Sequence, residues 1–210
     1  VGFRVGETYS VYLNDGNGTP QALTGQCRSM RGSLWIEVTA SKMGTFVVVP
    51  PLNLPFTDVQ EGDWFYDYVE YVYANGLMDG TSGTTFEPDA NMTRAMVWAI
   101  LARVDRETAT GTNWIEAARE WAMANGVSDG ENANGYVTRE QLATMLYRYA
   151  GEPETDGSGV GVFDDGETVS IWAFDAMSWA RNNGVITGVS DEALLPANTA
   201  TRAQCAAMLM

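Results

Sequence analysis

Apolar residues recur at helical spacing in three separate stretches of the chain. After Trp64 they fall at Tyr68, Tyr71 and Val72, after Trp114 at Ala118 and Trp121, and after Trp172 at Ala176 and Trp179. This spacing predicts a helix with one buried stripe in each place. Each helix is expected to stop at an Asn-Gly pair, Asn75-Gly76, Asn125-Gly126 or Asn183-Gly184. A glycine there can adopt the left-handed conformation, so that Leu77, Val127 or Val185 folds back on the last turn. A second helix is predicted to open at Thr93-Arg94, Thr138-Arg139 and Thr201-Arg202, with apolar stripes Val97/Ile100/Leu101, Leu142/Met145/Leu146 and Cys205/Met208/Leu209. Thr138 with Gln141 and Thr201 with Gln204 match the capping box, whereas Met96 leaves the first box half made.

The intervals between these landmarks repeat. Each Trp precedes its Asn-Gly by eleven residues, and a further glycine (Gly80, Gly130, Gly188) follows four residues after the first. From that glycine to the Thr is thirteen residues in the first and third units and eight in the middle one. The middle unit therefore lacks five loop residues relative to its neighbours. Self-similarity of this kind marks a repeat architecture, each helix-loop-helix unit relying on its neighbours for burial.

Residues 1–50 differ in kind. Thr8 to Leu13, Leu34 to Val38 and Phe46 to Val49 are rich in strand formers, and Asp15-Gly16-Asn17-Gly18 is a turn cluster. Pro50, Pro51 and Pro55 predict a stiff linker, and Gly151 to Gly161 reads as a hinge between the second and third repeats. The expected layout is a short β module or spacer at 1–50 and repeats at 56–107, 112–151 and 163–210. Val1 opens the chain without an initiator Met or an apolar leader, as expected of a mature fragment of a longer protein.

With 210 residues, 45% of them hydrophobic, the chain can bury a substantial core. Acids outnumber bases 27 to 12, a formal net charge of −15, and no cationic stripe is visible, which argues against a nucleic-acid partner. No apolar run approaches the roughly 20 residues of a membrane span. Cys27 and Cys205 stand far apart, implying two free thiols rather than a disulfide framework. The absence of histidine removes Ser-His and Cys-His nucleophile pairs and His metal sites, so that any enzyme would have to rely on carboxylates alone. A calcium loop from Asp129 to Glu140 is rejected, because Asn134 stands where the invariant glycine belongs and Ala133 where a ligand does. Neither cofactor nor metal is expected.

The set Phe56-Thr57-Asp58-Val59, Trp64, Asn75-Gly76-Leu77, Gly80, Phe86-Glu87-Pro88 and Thr93-Arg94-Ala95 resembles the S-layer homology repeat of bacterial cell-surface proteins. The third repeat matches with Phe163, Asp165, Trp172, Gly184, Gly188, Pro196 and Thr201-Arg202-Ala203. The middle one keeps Trp114, Gly126, Gly130 and Thr138-Arg139 but lacks the Phe-x-Asp and Phe-x-Pro segments. The likeness covers about residues 56–210. It implies an α+β chain, mostly helical, with three repeats about a pseudo-threefold axis and a small N-terminal β element. It further implies non-catalytic, non-covalent anchoring to the wall of Gram-positive bacteria, on the cell surface, through grooves between repeats that bind a secondary cell-wall polysaccharide, often pyruvylated. Two other readings stand beside it: a module for protein–protein or surface-lattice assembly with neighbouring chains, and the tail of an exported enzyme whose catalytic domain lies upstream.

The residues expected to carry binding are Arg94, Arg139 and Arg202, Trp64, Trp114 and Trp172, and Gly76, Gly126 and Gly184. An Arg in the first turn of a helix opposes the macrodipole, a mild cost that an arriving carboxylate would reverse by meeting free N–H groups and a bidentate guanidinium. On that argument losing Arg94 should weaken binding with little effect on stability, and Arg139 in the shortened repeat should matter less than Arg94. The tryptophans can serve as sugar platforms or as core, since each opens an apolar stripe. The glycines would allow close backbone approach to a ring, or act simply as helix caps. The family commonly has Glu where this chain has Met96, Gln141 and Gln204, a change expected to affect helix starts more than ligand.

Overall fold

The computed structural model describes residues 5–6, 8–14, 21–30, 33–49, 54–107, 111–190 and 192–210, and the chain divides into two compact units, Val1–Asn53 and Leu54–Met210. The first contains a four-stranded antiparallel sheet of β1 (Thr8–Asn14), β2 (Gln21–Met30), β3 (Ser33–Val38) and β4 (Thr45–Val49), in the order β3-β2-β1-β4. Three of these strands answer the predicted runs; β2 was not expected, because its sequence QALTGQCRSM is poor in β-branched and aromatic residues. Its pairing with β1 and β3 on either side makes it a central strand. The alternation Leu23, Gly25, Cys27 was the available signal, and Cys27 is fully buried along with Tyr9, Val11 and Leu13 of β1. The Asp15 to Gly18 turn and Pro50-Pro51 lie outside the described residues.

The second unit contains α1 (Tyr66–Ala74), α2 (Arg94–Val104), α3 (Trp114–Ala124), α4 (Arg139–Tyr149), α5 (Phe174–Asn182) and α6 (Arg202–Leu209). The first helix of each repeat ends as its glycine dictates. Gly76 and Gly126 have φ of 65° and 68°, with Leu77 N–H donating to Val72 O and Val127 N–H to Ala122 O, the 6→1 bond of a Schellman motif. The asparagines add a second cap: the Nδ2 groups of Asn75, Asn125 and Asn183 donate to the carbonyls of Tyr71, Trp121 and Trp179. Only α3 begins at its tryptophan. Trp64 precedes α1, and Trp172 lies in a short 3-10 turn, Ile171–Ala173, before α5. The second helices start where predicted, with Thr93, Thr138 and Thr201 accepting from the amides of Met96, Gln141 and Gln204 and with full capping boxes at the last two.

The repeats close on one another. Each second helix packs on the first helix of the next repeat, α2 on α3, α4 on α5 and α6 on α1. At the centre, Met92 N–H donates to Ala200 O, Ala200 N–H to Val137 O and Val137 N–H to Met92 O, each at 2.9 Å. This ring of three backbone bonds, one from each repeat, marks the pseudo-threefold axis. The segment read as a hinge is packed instead. Val160 is buried, Asp156 accepts from Asn182 Nδ2, and a Cβ on Gly159 would come within 2.6 Å of Ser178 O. Apolar burial therefore runs as one cluster through all three repeats, and the fold is α+β, mostly helical.

Candidate functional site: three grooves shared between repeats

The Thr-Arg pairs do not present free helix ends. In each repeat a loop turns through a residue of positive φ, Glu87 (57°), Asn132 (54°) or Leu195 (49°), and thereby aims carbonyls at the second helix of another repeat. Arg94 and Ala95 N–H donate to Gly135 O and Ala133 O, Arg139 and Glu140 N–H to Asn198 O and Pro196 O, and Arg202 and Ala203 N–H to Ala90 O and Pro88 O. Together with the Thr side chains this satisfies the first three amides of α2, α4 and α6. The N–H groups expected to receive a carboxylate are therefore already engaged by the protein.

The guanidinium groups follow the same route. Arg139 Nε donates to Leu194 O at 2.7 Å, and Arg202 donates from Nε to Phe86 O at 2.7 Å and from Nη2 to Asp79 O at 2.6 Å. Arg202 also lies 4.4 Å above the Phe86 ring. Arg94 reaches Glu131 O, Ser128 Oγ and Asp129 Oδ1. Arg139 and Arg202 are buried to 3% and 8% exposure, and burial lowers the pKa of both, with Asp165 acting the other way on the first and Glu87, Asp58 and Asp79 among the groups doing so on the second. A solvated-surface reading is thus excluded for Arg139 and Arg202, and all three guanidinium groups donate to acceptors of the protein itself.

The Phe-x-Asp segment has a role the sequence did not disclose. Asp58 accepts from Phe86 and Glu87 N–H at 2.8 and 2.7 Å, and Asp165 from Leu194 and Leu195 N–H at 2.8 and 2.7 Å. Each carboxylate thus staples the positive-φ turn that presents carbonyls to the arginine. Burial works to raise both pKa values, but the backbone donors and the facing Arg202 or Arg139 outweigh it and hold both below the ordinary value. The middle repeat lacks this staple, and there Asp129 binds the arginine directly at 2.6 Å.

Three grooves result, each assembled from all three repeats. The first is lined by Met78 to Gly80, residues of α2, Trp114 and Arg202, with a volume of 390 Å³. The second is lined by Val127 to Asp129, residues of α4, Trp172 and Arg94, at 170 Å³. The third is lined by Val185 to Val189, residues of α6, Trp64, Tyr68 and Arg139, at 500 Å³. Each arginine therefore serves the groove of the repeat that follows its own. Of these three the groove lined by the shortened middle repeat is the smallest, and the arginine in it is Arg94, whereas Arg139 lines the third groove.

Trp64 and Trp172 are 62% and 55% exposed and Trp114 is half-buried, which removes the core reading for the first two. Gly76, Gly126 and Gly184 are exposed caps and are not among the groove-lining residues; Gly80 and Gly188 are. Met96, Gln141 and Gln204 line the first, second and third grooves respectively, so this position touches the groove as well as the helix start. Asp129 is bound to Arg94, and the Glu140 carboxylate is buried against Ser170 N–H and Oγ at 3.0 Å, arrangements unlike a calcium loop. Among the described residues no cluster is placed to hold a metal ion, and no helix is long and apolar enough to cross a membrane.

A cyclic trio of helix-loop-helix repeats with shared grooves is the architecture the motifs implied. Residues 55–95 and 162–206 match the family model of the S-layer homology domain, and these two stretches are repeats of that family. The chain is 30% identical over 171 residues to an endoglucanase of Bacillus sp. (strain KSM-635), covering 74% of this chain and 18% of that protein. It is 28% identical to an amylopullulanase of Thermoanaerobacterium thermosulfurigenes (73% and 9%) and 25% identical to the S-layer protein sap of Bacillus anthracis (72% and 20%). The chain thus spans a fifth or less of the length of these relatives. Modules of this family are non-catalytic cell-wall anchors, which places this one at the cell surface.

Proposed function

We propose that residues 54–210 hold a larger exported protein on the cell wall by binding an anionic, pyruvylated secondary cell-wall polysaccharide in the grooves between repeats, with residues 1–50 acting as spacer or as part of the upstream cargo. The observation that carries this reading is the composition of the grooves: each juxtaposes an arginine, an aromatic face and a backbone turn drawn from three different repeats. Exposed Trp64 and Trp172 suit the C–H faces of sugars, while the arginines suit a ketal carboxylate. Several modest sites along one polymer gain avidity without new contacts. The chain should sediment with purified walls and fail to do so once their secondary polymer has been removed. Retention on stripped walls would instead favour assembly with neighbouring surface-protein chains.

A further inference from the structure

The tryptophan walls of the three grooves are supported in different ways. Trp114 is half-buried as the first residue of α3, and Trp64 packs against Phe65 at 5.4 Å and Tyr68 at 6.4 Å. Among the described residues no ring packs on Trp172. It stands 55% exposed beside Ile171, which is 96% exposed, in the 3-10 turn Ile171–Ala173. The bonds within this turn, Ala173 N–H to Ser170 O and Phe174 N–H to Ile171 O, give it a shape but no place on α4.

A buried carboxylate reaches the turn from α4. Glu140, in the first turn of that helix, is 6% exposed. Its Oε2 accepts from Ser170 N–H and its Oε1 from Ser170 Oγ, both at 3.0 Å and across 30 residues of chain. Burying a carboxylate is costly unless its oxygens are satisfied, and this one commits both to the residue that opens the Trp172 turn. The pair is peculiar to this junction. Glu140 takes the position of Ala95 and Ala203 after the other Thr-Arg pairs, and Ser170 that of Gly62 and Thr112 two residues before the other tryptophans. An alanine can form no such tether. The same helix supplies Gln141, Thr144, Met145 and Arg148 to the second groove, so Glu140 joins the floor of that groove to its aromatic wall.

We propose that Glu140 is the positioning residue of the second groove: its two bonds to Ser170 hold Trp172 over α4, a task performed for Trp64 by neighbouring rings and for Trp114 by a helix start. The consequence for binding rests on the polysaccharide reading above; the tether itself does not.

The test uses the whole chain labelled with fluorotryptophan. Glu140→Ala introduces the residue that the other repeats carry, so the helix start should still form. In ligand-free protein its fluorine resonance for residue 172, assigned through Trp172→Phe, should narrow and move towards that of free indole, while the resonance of residue 64 stays in place. Glu140→Gln, whose amide offers Ser170 one acceptor and one donor, should keep residue 172 close to its wild-type position. On purified walls that retain their secondary polymer, Glu140→Ala should bind about threefold to tenfold more weakly, because Trp172 must be ordered on binding. Combined with Trp172→Ala it should lose no more than Trp172→Ala alone, a non-additivity that general destabilisation of α4 would not produce. An unmoved resonance at residue 172, a Gln variant as disturbed as the Ala variant, or additive losses on walls would overturn the positioning role. Failure of the wild type to bind such walls overturns the polysaccharide reading instead, and the fluorine resonances then decide the tether by themselves.

Discussion

Arg202→Ala tests whether the Thr-Arg arginines are struts as well as groove walls. The substitution leaves the backbone bond from residue 202 to Ala90 O but removes the Nε bond to Phe86 O, the Nη2 bond to Asp79 O and the stacking at 4.4 Å on the Phe86 ring. Hydrogen bonds from a charged donor contribute about 1.5–3 kcal/mol each, and the cation–π contact about 1 kcal/mol more. Against this stands the relief of burying a guanidinium at 8% exposure, a cost real enough that burial depresses its pKa. A net loss of about 2–4 kcal/mol follows. For a cooperative unit of this size, 1 kcal/mol corresponds to about 2–4 °C. Arg202→Ala should therefore melt roughly 5–15 °C below wild type in ligand-free calorimetry. Arg202→Lys should recover less than half of that, because one ammonium cannot span both carbonyls in the planar geometry of the fork. A shift under about 2 °C would refute the strut and restore the view that this arginine opposes its helix dipole with nothing in return.

Three further outcomes are expected. Asp58 and Asp165 have depressed folded-state pKa values, so their contribution is complete above the ordinary carboxylate value of 3.8 and is lost as pH falls through the lower folded value; Asp58→Asn should flatten the acid limb of a circular-dichroism stability profile. The Cys205 thiol is fully buried and burial pushes its pKa up to about 12, so native protein at pH 8 should resist iodoacetamide at this site and react there on unfolding, as mass spectrometry would show. Trp98 is fully buried five residues after Thr93, where the other repeats place the buried alanines Ala143 and Ala206; Trp98→Ala should cost about 3–5 kcal/mol in chemical denaturation.

Local signals determined a great deal of this protein. The Asn-Gly caps, the Thr-Gln capping boxes and the apolar stripes act within a turn or two of chain, so their spacing located both helices of every repeat. Strand β2 escaped because its conformation is imposed by partners on both sides rather than by its own residue types. The arginines illustrate the same limit at the site. Sequence could show that Arg94, Arg139 and Arg202 recur after the same Thr, and the dipole argument could show that each needs a negative partner. Which partner it finds depends on cyclic closure, which brings Leu194 to Arg139, Phe86 to Arg202 and Asp129 to Arg94 across separations of 55, 116 and 35 residues. No periodicity along the chain encodes that offset by one repeat, because it arises only when the last helix packs against the first. The same closure pairs Arg139 with Trp64 in the third groove while leaving Gly76, Gly126 and Gly184 as exposed caps. Residue types could nominate the participants, but packing alone decided which of them share a groove.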